Sequence, residues 1–228
     1  MLRPHLNKFA VVYIDDILIY SKDKAQHIEH VQQVLELLRE NQYHIKLKKC
    51  EFEKAEVKFL GHIIGAHGVK VDPTKVAVIR DWLVPTTLQG ARSFVGLATY
   101  FRKFIEKFSK MVAALTNLTK KDVPFFWSEA CQKDFDDVKE ALMNAPVLAL
   151  PDFSLPFVVI CDASKEGLGA VLMQNSRPLA YESRRLLPAE VNYTVTEQEL
   201  LAVVHALKFW RCYLEGPKFT VVTDHNPL

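Results

Sequence analysis

Three strand-length apolar runs in this chain end in aspartate: VVYIDD at residues 11–16, FVVICD at 157–162 and TVVTD at 220–224. Such runs, rich in β-branched and aromatic side chains, read as buried strands. A carboxylate at the end of a buried strand is held rigidly at a sheet edge. That is a good position for a ligand of Mg²⁺, which demands oxygen donors in near-octahedral geometry. Two such ions about 3.5–4 Å apart can activate an attacking oxygen and stabilise a leaving one in phosphoryl transfer. Aspartate also favours turns, because its side chain bonds nearby backbone. For a single aspartate after a strand the turn reading is the stronger; three recurrences weaken it without settling the matter.

The rest of the pattern mixes helices with short strands, giving an α/β (α+β) chain. Phe9–Tyr13 and Ile17–Tyr20 read as a hairpin joined by the acidic turn. Ser21 or Asp23 caps a helix to about Asn41, with Ile28, Val31, Val34, Leu35 and Leu38 at helical spacing. Ile45–Phe52 and Glu56–Ile64 read as strands. A helical stretch follows: Lys75–Trp82, then a longer helix from Thr86 or Thr87 to about Lys107, then Ser109–Thr119, then one from Ser128 to Asn144. Three prolines mark APVLALPDFSLP (145–156) as an extended linker and a domain boundary. Beyond it, three hairpin-type strands, a helix over Thr196–Glu215 and a strand at Phe219–Thr223 begin a second α/β domain.

Composition narrows the function. The chain has 228 residues, 49% apolar and 25% charged, which suits a globular protein of one or two domains. No apolar run approaches the ~20 residues a membrane helix needs, so no membrane is expected as a partner. The N-terminus has no signal-peptide core. Four widely spaced cysteines with no CxxC pair favour reduced thiols in an intracellular protein. A zinc site from Cys50, His62 and His67 fits no standard spacing. Net charge is only +2, but from Gly90 to Lys121 seven basic residues face one acid, Glu106. A local basic segment can contact phosphate, although a solvated helix face explains it equally well. Gly96 lies mid-helix there, at a cost of about 1 kcal/mol relative to alanine. Close approach of another backbone is the usual compensation, either a packed helix or a nucleic acid.

The motifs taken in order carry a resemblance. YIDDILIYS resembles the Tyr-x-Asp-Asp hairpin of reverse transcriptases. KFLGHIIGAHGVKVDPTKV, RSFVGLATYFRKFIEKFSK, APVLALPDFSLPF, CDASKEGLGAVL and AYESRRLLPAEVNYTVTEQELLAVVHALKFW are similar, in the same order, to the Pol polyproteins of gypsy-class long-terminal-repeat retrotransposons. The resemblance spans essentially the whole chain. It implies the C-terminal part of a reverse transcriptase palm (1–72), a helical thumb (73–121), a connection and linker (122–155) and a partial ribonuclease-H-like domain (156–228).

The resemblance also implies roles. Asp15 would ligate metal directly, with Asp16 less directly engaged and Tyr13 near the primer end. Phe59, Leu60, Gly61 and His62 would grip the primer. Arg92, Gly96, Tyr100, Arg102 and Lys103 would track the duplex, with the lysines on phosphate. Asp162, Glu199 and Asp224 would be ribonuclease H metal ligands. Helical geometry alone leaves Glu197 and Glu199 equivalent; Glu199 is chosen because it directly precedes Leu-Leu-Ala-Val, as the family's glutamate does. The implied cofactor is Mg²⁺ in two-metal sites, and the implied partner is an RNA–DNA hybrid or primer–template duplex. A deoxynucleoside triphosphate would join only with the fingers and the rest of the palm. The family's location is the cytoplasmic virus-like particle.

Two departures stand out. None of the twelve residues before Tyr13 is Asp or Glu, and HNPL after Asp224 holds no acid. Each metal site is therefore expected to be incomplete, and the chain alone to polymerise and cleave poorly. The alternative is a non-catalytic remnant that binds RNA–DNA duplex.

Overall fold

The computed structural model describes residues 1–6 and 8–224. These form two compact units, Met1–Leu60 and Gly61 onward.

In the first unit, β1 (Ala10–Tyr13) and β2 (Asp16–Ile19) form the expected hairpin, with Tyr13 opposite Asp16. The helix α1 (Lys24–Glu40) starts at Asp23, whose carboxylate accepts the Gln26 amide at 2.9 Å. That satisfies one of the amides a helix start leaves unpaired. Val34 and Leu38 of α1 close over Leu2, Phe9 and Ala10 as a small core. Ile28 and Leu35 of the same helix stay exposed. Ile45–Phe52 is not a strand. Its ordered part is a 3-10 turn, Leu47–Lys49, with Lys49 N donating to Lys46 O and Cys50 N to Leu47 O. Alternation alone cannot make a strand when the backbone bonds locally instead of to a ladder. The short strand β3 (Glu56–Phe59) closes the unit.

The second unit opens with β4 (His62–Gly65) and β5 (Gly68–Val71), so the run Glu56–Ile64 is broken by a turn at Leu60 and Gly61, both at positive φ. Helices α2 (Pro73–Arg80), α3 (Leu88–Tyr100), α4 (Phe108–Met111), α5 (Ala113–Leu118) and α6 (Glu129–Met143) follow. Thr87 and Ser128 cap α3 and α6 through their hydroxyls. Phe94, Phe101, Phe104, Phe135 and Leu142 form their common core. The helix expected to reach Lys107 ends at Tyr100, followed by a 3-10 turn, Arg102–Phe104. The cause is tertiary: the break keeps Phe104, Ile105 and Phe108 buried while Arg102 and Ser109 bond to the sheet described next.

That sheet has the order β8-β7-β6-β9, from β6 (Phe157–Ser164), β7 (Gly167–Gln174), β8 (Arg177–Arg185) and β9 (Phe219–Val222). β9 runs parallel to β6; the other pairs are antiparallel. The helix expected over Thr196–Glu215 divides into α7 (Val195–Phe209) and a short α8 (Arg211–Leu214). Ala202, Ala206 and Trp210 pack with Val159, Cys161 and Leu172 of the sheet.

The proline-rich stretch 145–156 is no free linker. Leu148 is buried and bridges Val69, and Gln174 bonds the backbone of Asp152 and Leu155. Buried apolar area and satisfied backbone groups tie it to both neighbours. The two compact units of the described chain meet in sequence at Leu60 and Gly61. Among the described residues no helix is long and apolar enough to cross a membrane.

Candidate metal centre and nucleic-acid face

The sheet brings three carboxylates together. Val159 pairs with Val221 and Ile160 with Val222 in the parallel ladder. Extending that register sets Asp162 level with Asp224. The first turns of α7 lie over the same end and supply Glu199. One ligand oxygen from each of Asp162, Glu199 and Asp224 lies within 4.8 Å of the others. Among the described residues this is the one such cluster of three or more His, Cys, Asp or Glu side chains.

The three are held differently. Glu199 is buried and accepts the Ala163 amide at 3.2 Å, with the Thr223 hydroxyl at 3.5 Å. Asp162 is half-exposed, with the Lys107 ammonium 3.4 Å from its Oδ2. Asp224 is exposed. A fixed inner carboxylate and two accessible ones, all oxygen donors, suit a hard divalent cation. Beside them, burial and then the charge of Glu199 push the Cys161 thiol up to about 11, so it stays protonated. Glu197 has another task. Its carboxylate accepts the Thr194 amide while Thr194 accepts its own, closing a capping box at the start of α7.

Asp15 and Asp16 are exposed at the tip of the β1–β2 hairpin, and no third ligand joins them in a cluster among the described residues. The turn between them and Tyr13 is tight. Ile14 sits at φ 51° and is 80% exposed. Left-handed backbone is costly for a β-branched residue.

The expected duplex-tracking residues split into two groups. Gly96 is exposed, and a Cβ added there would meet nothing within 4 Å, so no helix among the described residues packs on it. Tyr100, one turn on, is half-exposed, with its ring 3.6 Å from the Cβ position of Gly61, where φ is 71°. His62 is buried among Tyr100, Phe101 and Phe104, and among the described residues its Nδ1 has no hydrogen-bond partner. Burial, then the Lys103 charge, lowers its pKa to about 4. Phe59 and Leu60 are half-buried. The basic residues are more committed than expected. Arg92 donates to the Thr119 carbonyl at 3.0 Å, and Arg102 donates to Glu182. Burial lowers the Lys103 pKa, and its ammonium lies 5.3 Å from the Phe104 ring.

Sequence reasoning missed the Glu182 cluster. Glu182 is buried, and both Arg102 and His205 reach its carboxylate. The only signal was an acid within a strand-forming run. The two partners lie 80 and 23 positions away, which no local pattern registers.

Comparison with known proteins agrees with this architecture. The family described as reverse transcriptase (RNA-dependent DNA polymerase) matches residues 1–64, and the RNase H-like domain found in reverse transcriptase matches 127–221. The whole chain is 41% identical to the retrovirus-related Pol polyprotein from transposon 297 of Drosophila melanogaster, over 22% of that protein. Tf2-3 polyprotein of Schizosaccharomyces pombe is 37% identical over 96% of the chain and 17% of its own length. The chain thus spans about a fifth of the curated relatives it matches. A foamy viral protease-reverse transcriptase in complex with RNA/DNA hybrid superposes with a TM-score of 0.88 at 25% identity, over 98% of this chain and 31% of that one. A dRH form with double-stranded DNA gives 0.85 at 26%, over 95% and 39%. The chain thus carries reverse transcriptase and RNase H-like matches in that order, and it is similar along its length to Pol polyproteins of long-terminal-repeat retrotransposons.

Proposed function

We propose that Asp162, Glu199 and Asp224 bind Mg²⁺ and serve hydrolysis of the RNA strand in an RNA–DNA hybrid. The observation that carries this is their convergence within 4.8 Å from three separate elements. When bound, a divalent cation supplies Lewis-acid polarisation of the phosphate and an activated water. Glu199, pinned by the Ala163 amide, fixes the inner wall of the site. Asp162 and Asp224, both accessible, face the side from which a phosphate would come. Three carboxylates hold one cation more readily than two, so cleavage by this chain alone is expected to be slow.

Asp15 and Asp16 are the palm carboxylates of the same reading, contributing to nucleotidyl transfer with further ligands and with nucleotide bound beyond this chain. Duplex would run over the open face at Gly96 and Tyr100. The foamy-virus relatives solved with RNA/DNA hybrid and with double-stranded DNA support a duplex as the partner. Phosphate contacts there would give affinity without sequence preference.

Titration of the full chain with Mn²⁺ and with labelled hybrid tests both parts. Carboxylate-dependent metal binding that Glu199→Gln abolishes, with hybrid binding retained, is the expected result. Metal binding unaffected by Glu199→Gln would overturn the assignment. Hybrid binding without any metal-dependent cleavage would favour the non-catalytic duplex-binding reading, which the open Gly96 face also suits.

A further inference from the structure

The stretch after α3 sends three cations onto acids of the sheet and its hairpin turn. Arg102 pairs with Glu182, Lys107 with Asp162 and Lys110 with Glu166. The first pair is buried on its acid side, and the last joins two exposed side chains. The middle pair differs because Asp162 belongs to the carboxylate cluster.

Two observations give this contact weight. Lys107 sits at φ 54° in the left-handed region, as the residue preceding α4. Glycine or asparagine takes that conformation at lower cost than lysine. A lysine held there against its backbone preference points to use of its side chain. The second observation is electrostatic. Three carboxylates with oxygens within 4.8 Å repel one another when ionised. An ammonium 3.4 Å from Asp162 Oδ2 offsets part of that repulsion. A divalent cation would need the same oxygen, and two positive charges cannot share it at low cost.

We propose that Lys107 is a tethered counter-ion of the Asp162–Glu199–Asp224 cluster. It holds Asp162 while the cluster is metal-free and yields it to a divalent cation, and so raises the metal concentration at which the site loads. This rests on reading the cluster as a metal site.

The test is Mn²⁺ titration of the full chain by calorimetry at constant ionic strength. Lys107→Met keeps the unbranched stem and removes the charge. Lys107→Gly removes it too and suits the left-handed backbone, so one variant stands in if the other folds poorly. Both are expected to bind Mn²⁺ about fivefold more tightly, the scale of one exposed ion pair. Lys107→Arg and Lys110→Met are expected to match the unsubstituted chain. Affinity within twofold of the parent in both charge-removing variants, with binding still lost in Glu199→Gln, would overturn the Lys107 role and leave the metal site standing. Equal tightening in Lys110→Met would overturn it as well, by showing a general charge effect. A titration that Glu199→Gln leaves unchanged would remove the metal reading and the Lys107 role together.

Discussion

Arg102 Nη2 lies 2.6 Å from Glu182 Oε2, joining the turn after α3 to strand β8 across 80 positions of sequence. The Glu182 side chain is 2% exposed, and His205 Nε2 approaches its other oxygen at 3.2 Å. The Arg102 guanidinium also lies over the Phe209 ring, 5.2 Å from its centroid. Removing one partner of a buried pair strands the other charge, which is worse than never having the pair. Arg102→Met should therefore lower unfolding free energy by about 2–4 kcal/mol in urea denaturation. The double variant Arg102→Met, Glu182→Met should recover most of that loss. A double variant as unstable as the single would show that the charges are not coupled.

Two glycines should respond to alanine in opposite senses. A Cβ at Gly68, where φ is 130°, would lie 2.0 Å from the Leu148 carbonyl oxygen. Gly68→Ala should cost about 3 kcal/mol by combining backbone strain with loss of the Val69–Leu148 bridge. Gly96→Ala meets nothing and should stabilise α3 by about 1 kcal/mol. Gly96→Leu should raise the melting temperature much as alanine does yet weaken hybrid binding, measured by fluorescence anisotropy. Unchanged hybrid affinity would move the duplex away from this face.

His62 predicts an acid-side loss of stability. Its folded pKa, lowered from 6.5 to about 4, lies below that of the unfolded chain. The unfolded state therefore binds its proton first as pH falls. The contribution is fully present above about pH 6.5 and disappears as pH falls towards 4. His62→Phe keeps a ring among Tyr100, Phe101 and Phe104 and removes a buried nitrogen that has no partner among the described residues. The variant should flatten the dependence of the urea midpoint on pH between 4 and 6.5. An identical slope in the variant would assign the loss to other groups.

Ile14 stores strain in the β1–β2 turn. The left-handed region costs an L-residue about 1–2 kcal/mol, and glycine's extra entropy returns about half of what relief gains. Ile14→Gly should raise stability by up to about 1 kcal/mol, read from the denaturation midpoint. A loss of stability would mean that the exposed isoleucine side chain contributes contacts worth more than the strain.

Much of the fold was legible because its signals are local. The hairpin around Asp15 and Asp16, the caps at Thr87 and Ser128, and the four strands of the sheet each follow from a few neighbouring residues. Ile45–Phe52 misled for the same reason: its alternation suits a strand, but the backbone found local partners. The break in α3 and the packing of Leu148 were invisible because they satisfy contacts far along the chain. The His225–Leu228 stretch, read as holding no acid, lies outside the described residues.

By itself the sequence determined the family, the run of helices and strands, and the kinds of side chain available for metal and phosphate. Those depend on local periodicity and on motifs in order. Only the tertiary structure decided which carboxylates meet. Glu197 and Glu199 both border the apolar stripe of α7; a local capping box holds Glu197 to Thr194, whereas the phase of that helix on the sheet is what brings Glu199 to Asp162. The same packing set Lys107 against Asp162. Long-range register and helix phase come from how whole apolar faces fit together, and no short stretch of residues encodes them.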